Sequence, residues 1–203
     1  MNFLAHLWLA DRSRTSLAGS ILGDGVRGSD LSTHAPEIAT GIRLHRRVDA
    51  ATDRHPIVAA ARQRFPPGRR RHAGIVLDLA ADHALARTWP DHHDQPLPVF
   101  ARRCGEALAA AADEFHRAGL RRPDARAFAE LLRSYADAAG MERALCRVAS
   151  RLRKPQLLLD AGLHWPAASD ALQPQLGELL DALLAVMRAD AGTQATPPGA
   201  PLA

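Results

Sequence analysis

The sequence predicts an all-α protein, a single-domain helical bundle. Alanine, leucine and arginine dominate the 203 residues, aromatic residues make up only 4%, and this composition favours helices over strands. Apolar residues recur at intervals of three and four, the spacing of a helix face. With 47% hydrophobic residues the chain can bury one sizeable core. We therefore expect one domain over 1–192 and a disordered tail over 193–203.

The first three predicted helices are bounded by glycine and proline. A first helix is expected over 2–10, and a second over 14–22 ends at Gly23. A third begins at about 36 and stops before Pro56, because a residue that precedes proline avoids the α region.

The remaining helices follow from hydrophobic periodicity. The segment 72–89 is apolar on nearly every face, as in a buried central helix. Four later helices are predicted, over 97–118, 123–139, 141–152 and 168–190.

Cysteine usage, the start of the chain and the charge limit the class of protein. Cys104 and Cys146 stand far apart in no CxxC pattern, which predicts free core cysteines in a reducing compartment. The apolar run in MNFLAHLWLADR lacks a basic region before it, is broken by His6 and is too short to span a bilayer, so we expect a cytoplasmic protein. The net charge of +4 and pI near 10 favour an acidic partner.

One stretch, GIRLHRRVDAATDRHP over 41–56, holds many ionisable groups although it is patterned as a helix. Leu44, Val48 and Ala51 form the i, i+4, i+7 stripe of a core face. His45 and Asp49 occupy the adjacent stripe and should border the buried face.

A second ionisable group lies in GIVLDLAADHALARTW, over 74–89. Asp78 and Asp82 are one helical turn apart on an otherwise apolar helix. An unpaired ionised carboxylate in the interior is costly, and like charges at i, i+4 repel. A cation must therefore lie nearby, either a metal ion or an arginine such as Arg46 or Arg87.

Isolated polar residues on other apolar segments extend this pattern. His6 lies inside NFLAHLWLA, Asp24 stands between two glycines at a helix end, and His83 follows Asp82. Each has a structural alternative: His6 as a satisfied core histidine, Asp24 as a turn residue. Histidine nitrogen together with aspartate oxygen suits Mn²⁺, Fe²⁺, Zn²⁺ or Mg²⁺, and helical bundles build such sites from inward-facing side chains. The coincidence favours a metal centre.

Four ordered motifs, MNFLAHLWLA, GDGVRG, GIRLHRRVDAATDRHP and LDLAADHALARTW, resemble those of the acyl carrier protein phosphodiesterase family. The resemblance extends to about residue 155. It implies an all-α fold distantly similar to HD-type phosphohydrolases and a divalent metal, Mn²⁺ before Mg²⁺ or Fe²⁺. It also implies removal of the 4′-phosphopantetheine arm from holo-acyl carrier protein of fatty acid biosynthesis.

The resemblance implies a site of imidazoles and carboxylates. The implied metal ligands are His6, Asp24, His45, Asp49, Asp78 and Asp82. Among them we expect His45, Asp78 and Asp82 to be direct ligands and Asp24 to be either a ligand or the general base. Arg46 and His83 would stabilise phosphoryl oxygens.

The partner implied by the resemblance is acidic, so basic residues should dock it. The candidates are Arg47, Arg69, Arg70, Arg71, Arg151, Arg153 and Lys154. No membrane partner is expected, and nucleic acid is disfavoured. The chain departs from the family pattern at Trp8, Gly25, Ala80 and Ala81, which changes the shape of the pocket rather than its charge.

Two alternative functions remain open from the sequence. One is an HD-type metal-dependent nucleotide or alarmone phosphohydrolase. The other is a non-catalytic helical module in which the basic loop PPGRRRHAG over 66–74 grips nucleic acid and the carboxylates hold arginines.

Overall fold

The structure, a computed structural model, describes the backbone of residues 1–193 and the side chains of residues 1–189. It confirms the all-α prediction, because the regular structure within 1–193 is helical and includes no strand. The helices are α1 Phe3–Arg12, α2 Leu17–Leu22, α3 Pro36–Arg54, α4 Pro56–Gln63, α5 Ala73–Arg87, α6 Leu97–Ala110, α7 Ala112–Arg117, α8 Ala125–Ser134, α9 Ala138–Ala149, α10 Pro155–Gly162, α11 Trp165–Leu172 and α12 Leu176–Thr193. Short 3-10 turns cover Pro67–His72, Trp89–Asp91 and Gln173–Gln175.

Helix α5 is the central helix, as its uniformly apolar sequence predicts. It packs against α1, α4, α9, α10, α11 and α12. Ala80, Ala84 and Leu85 have no exposed surface. Buried apolar residues of the described helices form one contiguous core, in which Asp82 is fully buried, whereas the side chain of Asp78 is 39% exposed.

Helices α2 and α3 approach each other closely at two glycines. A Cβ atom added to Gly19 would lie 2.9 Å from the Cα atom of Gly41, nearer than side chains pack. The contact is possible only because neither residue carries a side chain. It fixes the middle of α2 against the first half of α3.

Several predicted boundaries were wrong. The helix expected over 168–190 is two helices, because Pro174 lies in the turn Gln173–Gln175 between α11 and α12 and proline cannot continue a helix interior. The helix expected over 97–118 is divided at Ala111, where no glycine or proline marks a break. Helix α10 was not predicted.

Other expectations have mixed outcomes. Cys104 is buried as predicted, but Cys146 is exposed, so only the first is a core residue. The tail expected over 193–203 lies outside the described residues except for Thr193, which ends α12; the domain boundary at 192 stays a prediction. Within 1–193 no helix has the length and apolar character needed to cross a membrane.

Candidate metal centre

Three side chains from two helices meet at one point. The Nε2 atoms of His6 on α1 and His45 on α3 each lie 3.0 Å from an oxygen of Asp49, His6 from Oδ1 and His45 from Oδ2. Both histidines are buried, whereas the Asp49 side chain is 43% exposed. One ligand atom from each residue lies within 4.8 Å of the others, so this group can hold a metal ion.

The loop after α2 brings Asp24 to the same centre. Its Oδ1 atom lies 3.6 Å from His45 Nε2, and its side chain is 58% exposed. The His45 ring fills the space that a side chain at Gly23 would need. Asp24 therefore reaches the centre because the preceding residue has no side chain.

Arg46 holds the Asp24 loop rather than a phosphoryl position in this structure. Its Nη1 atom donates to the carbonyl oxygen of Gly28 at 2.7 Å, and Nη2 donates to that of Val26 at 2.8 Å. Charge-assisted hydrogen bonds of this kind are stronger than neutral ones. These bonds position the Asp24 loop, and the catalytic role of Arg46 stays a prediction.

The pKa values of the two histidines shift in opposite directions. Burial lowers the pKa of His6 to about 4. Burial also opposes the charged form of His45, but hydrogen bonds to Asp24 and Asp49 outweigh it and raise the pKa of His45 to about 9. Burial acts against ionised Asp49 as well, yet the hydrogen bonds from His45 and His6 hold its pKa well below the ordinary value. The centre therefore combines a neutral imidazole with an imidazolium–carboxylate pair.

The described residues place a main-chain amine beside Asp78. The ammonium group of Met1 lies 3.0 Å from Asp78 Oδ1 and 3.7 Å from Asp49 Oδ1. Burial nevertheless raises the pKa of Asp78. The sequence analysis expected an arginine or a metal ion here and did not consider the chain's amino group; a metal ion at Asp78 stays a prediction.

The Asp82 carboxylate binds the start of α1. Its Oδ2 atom accepts a hydrogen bond from the backbone N–H of Leu4 at 2.7 Å, and Oδ1 accepts one from Ala5 at 3.0 Å. Asp82 has no exposed surface. Burial raises its pKa to about 7 despite the two backbone donors. The structure thus places Asp82 behind the centre, where it fixes the helix that carries His6, and its direct ligation of metal stays a prediction.

His83 projects away from the centre. Its Nδ1 atom lies 2.7 Å from the carbonyl oxygen of Tyr135, and its ring meets Trp165 edge-on at 4.8 Å between centroids. Adjacent residues of a helix point about 100° apart, so Asp82 and His83 cannot share one face. The catalytic role expected of His83 stays a prediction.

The departures from the family pattern lie in different places. Trp8 donates from Nε1 to the carbonyl oxygen of His92 at 3.0 Å, on a face of α1 away from His6. Ala80 and Ala81 are core residues. A Cβ atom at Gly25 would lie 2.5 Å from Leu120 Cδ1, so Leu120 occupies the space that a larger residue 25 would fill.

The predicted docking residues lie in three places: Arg47 on α3, Arg69, Arg70 and Arg71 in the 3-10 turn Pro67–His72, and Arg151, Arg153 and Lys154 in the segment before α10. Arg69 pairs with Asp160 of α10 at 2.8 Å, which joins these two segments. Arg70 donates to the carbonyl oxygens of Phe65 and Gln63. The exposed members of the predicted set are Arg47, Arg70, Arg71, Arg151, Arg153 and Lys154.

The fold is all-α, and two histidines and one aspartate within it could hold a metal ion. The class of protein is therefore a helical protein with a candidate metal centre. A sequence model of the acyl carrier protein phosphodiesterase family matches residues 1–183. The chain belongs to this family.

Curated relatives agree with the family assignment. A Salmonella agona protein named acyl carrier protein phosphodiesterase is 33% identical over 186 residues, 91% of this chain and 96% of the relative. Proteins of the same name from Pectobacterium atrosepticum and Escherichia coli O139:H28 are 50% and 44% identical over 101 and 106 residues. These matches cover 49% and 50% of this chain. The chain spans about half the length of those two relatives, 52% and 55%.

No solved structure matches the chain. The expected likeness to HD-type phosphohydrolases therefore stays a prediction.

Proposed function

We propose that this chain hydrolyses the phosphodiester that joins 4′-phosphopantetheine to a serine of holo-acyl carrier protein, releasing apo-acyl carrier protein and 4′-phosphopantetheine. The observation that carries the proposal is the convergence of His6, His45 and Asp49 with Asp24 at a partly exposed centre. The names of the relatives that cover this chain supply the substrate class.

The donor set fits a divalent metal ion. His6, His45 and Asp49 offer two imidazole nitrogens and a carboxylate, a combination that Mn²⁺, Fe²⁺ and Mg²⁺ sites use to differing degrees. His6 and His45 both direct Nε2 to the Asp49 carboxylate, at 3.0 Å each, so both imidazoles present the nitrogen that an ion at this centre would bind. We propose Mn²⁺ as the resident metal, held by these three residues with Asp24 beside them. A divalent ion at such a centre supplies a water of lowered pKa and offsets charge on phosphoryl oxygens.

The exposed carboxylate of Asp24 suits the role of general base. Its side chain is 58% exposed, so a water molecule and a phosphodiester can reach it from solvent. In the proposed reaction an Oδ atom accepts the proton of the attacking water. The new P–O bond forms as the bond from phosphorus to the serine oxygen breaks, and the serine alkoxide then takes up a proton.

His45, which would bind the ion as a neutral imidazole, also gives Asp24 a fixed neighbour. His45 Nε2 lies between Asp24 and Asp49, at 3.6 and 3.0 Å. The Asp49 pair orients the ring, and the ring in turn limits where the Asp24 carboxylate can lie. His45 and Asp49 thereby position the base as well as offering metal ligands.

An acidic carrier protein would meet basic side chains near the centre. Helix α5, which carries Asp78, begins directly after the turn that holds Arg70 and Arg71. Arg69 joins this turn to α10, and Arg151, Arg153 and Lys154 precede α10. We propose that these two segments form the docking surface, in agreement with the basic pI near 10.

Mass spectrometry of the intact carrier protein tests the proposed reaction. The purified chain is incubated with holo-acyl carrier protein and Mn²⁺, with a metal-chelated sample and a H116Q variant as controls; His116 is exposed and remote in sequence from the centre. Loss of the phosphopantetheine mass only in the Mn²⁺ samples is the expected result. An unchanged carrier mass together with hydrolysis of free nucleotides would replace the carrier substrate with a nucleotide.

A further inference from the structure

An open cavity of about 440 Å³ is lined in part by Ile21, near the turn that carries Asp24, and has no role in the mechanism above. Its walls are apolar and come from four helices. They include Ile21, Leu108, Phe115, Phe128 and Leu131. The volume falls within the range of small-molecule sites, about 300–1,000 Å³.

Two contacts connect the cavity to the centre. Ile21 accepts a hydrogen bond through its carbonyl oxygen from the backbone N–H of Asp24 at 3.3 Å, so one wall residue belongs to the turn that presents Asp24. Phe128 packs against Phe3 with ring centroids 5.8 Å apart, and Phe3 lies one turn before His6 on α1. The cavity thus shares structural elements with both sides of the centre.

Cationic donors surround the apolar walls. Arg121, Arg122 and Arg147 line the cavity, and all three are exposed. Arg122 also pairs with Asp113 at 2.9 Å. Guanidinium groups donate hydrogen bonds and accept none, so the cavity favours an occupant with apolar segments and carbonyl or hydroxyl acceptors.

We propose that this cavity receives the pantetheine arm of the carrier substrate; this inference rests on the proposed function. The arm combines methylene and gem-dimethyl segments with two amide carbonyls and a hydroxyl, the chemistry that apolar walls and arginine donors complement. The phosphodiester at one end of the arm would then lie at the centre while the arm extends over Ile21 and Phe128. The arm is bound at a place separate from the docking surface for the carrier protein itself.

Ala127 offers a way to fill the cavity without disturbing the core. It is exposed and lines the cavity on α8, so A127W places an indole in the mouth. A matched control is A167W on α11, also at an exposed alanine and not a lining residue. A second variant, R147Q, removes a donor while leaving the walls intact.

Calorimetric titration with pantetheine, which carries no phosphate, tests the cavity directly. The unmodified chain and A167W should bind it with equal affinity, A127W at least about tenfold more weakly, and R147Q more weakly than A167W. Circular dichroism confirms that each variant is folded. Equal affinity of A127W and A167W, or no binding to the unmodified chain, overturns the proposal.

Turnover of holo-acyl carrier protein separates this inference from the proposed function. If the unmodified chain cleaves the carrier, A127W should raise KM with little change in kcat, because the arm contributes binding that the chemistry does not require. A fall in kcat alone would contradict arm binding. If the chain does not cleave the carrier, the proposed function fails, and the pantetheine titration still decides whether the cavity binds the arm.

Discussion

The imidazole rings of His6 and His45 stack with their centroids 3.9 Å apart, although the two residues lie on different helices. Each ring directs Nε2 to a different oxygen of Asp49. The same carboxylate therefore serves two imidazoles whose pKa values diverge, about 4 for His6 and about 9 for His45. Asp49 is therefore the residue that contacts both histidines of the candidate metal centre and holds their rings in place.

Replacement of Asp49 by asparagine should abolish metal binding and turnover. An amide has no charge to offset the ion, and even residues behind a metal site cost about 10–100-fold when removed. We expect Mn²⁺ affinity and kcat/KM for holo-acyl carrier protein to fall at least about 100-fold. Calorimetry with Mn²⁺ and the carrier mass assay measure the two effects, with H116Q as the unchanged control. Near-normal Mn²⁺ affinity in D49N would remove Asp49 from the ligand set.

Replacement of Asp82 by alanine should destabilise the protein. The change leaves the N–H groups of Leu4 and Ala5 buried without their acceptor, which costs about 1–3 kcal/mol for each unsatisfied group. Urea denaturation measures the loss in the free energy of unfolding. The matched control is D137A, because Asp137 precedes α9 without a side-chain capping hydrogen bond. If D82A keeps its stability but loses Mn²⁺ binding, the ligand role expected from the sequence is right.

Replacement of Arg46 by glutamine should loosen the Asp24 loop. The loss of two charge-assisted hydrogen bonds to the carbonyl oxygens of Val26 and Gly28 should speed amide hydrogen exchange over 24–28 and reduce kcat by about tenfold. R43Q serves as the control, since Arg43 is exposed and its side chain hydrogen-bonds, among the described residues, to Thr40 on its own helix. Unchanged exchange in R46Q would show that other contacts hold the loop.

Lowering the pH should weaken the ion pair by which Asp11 on α1 contacts Arg103 on α6. Arg103 and His93 bond to its two oxygens at 2.7 and 3.1 Å. Burial works against ionised Asp11, but these bonds prevail and lower its pKa below 3.8. A carboxyl with a depressed folded-state pKa stabilises the fold above its unfolded pKa, and this contribution disappears as the pH falls through the folded value. The free energy of unfolding should therefore drop less steeply below about pH 4 in D11N than in the unmodified chain.

Added salt should slow the reaction with the carrier protein if the two basic segments, the turn Pro67–His72 and residues 151–154, attract the acidic carrier protein electrostatically. Added NaCl screens charges beyond about 10 Å at 0.1 M, so kcat/KM should fall as the salt concentration rises. A triple variant of Arg151, Arg153 and Lys154 to glutamine should start lower and depend less on salt. The matched control is R126Q, since Arg126 is exposed on α8, away from these segments. A flat salt profile for the unmodified chain would argue against steering.

The centre could be predicted largely from spacing within single helices. His45 and Asp49 are one turn apart on α3, and His6 is an isolated imidazole on an apolar helix, so local pattern was sufficient to identify them. The role of Asp82 was not visible, because its partners Leu4 and Ala5 are 78 and 77 residues away and are main-chain groups. Because nearly every residue has a backbone N–H group, the sequence does not show which of these groups will bind a particular carboxylate.

Helix boundaries were predictable where proline or glycine sets them and not elsewhere. The ends of α3 at Pro36 and before Pro56 followed from local sequence. The break at Ala111 lies in a run of alanines, where propensity favours continuation, so tertiary packing must decide it. Helix α10 begins at Pro155, a good first helical residue, and this was the signal that could have identified it.

The contact between Gly25 and Leu120 bears on how the pocket changes across related proteins. A Cβ atom at residue 25 would collide with Leu120, so the two positions share one volume and only one of them can fill it. Here the segment between α7 and α8 supplies that volume, and it leads directly into Arg121 and Arg122 at the cavity. The space next to Asp24 is thus filled by a loop that is distant in the sequence, so substitutions in that loop should change the shape of the cavity proposed for the pantetheine arm without altering any residue of the candidate metal centre.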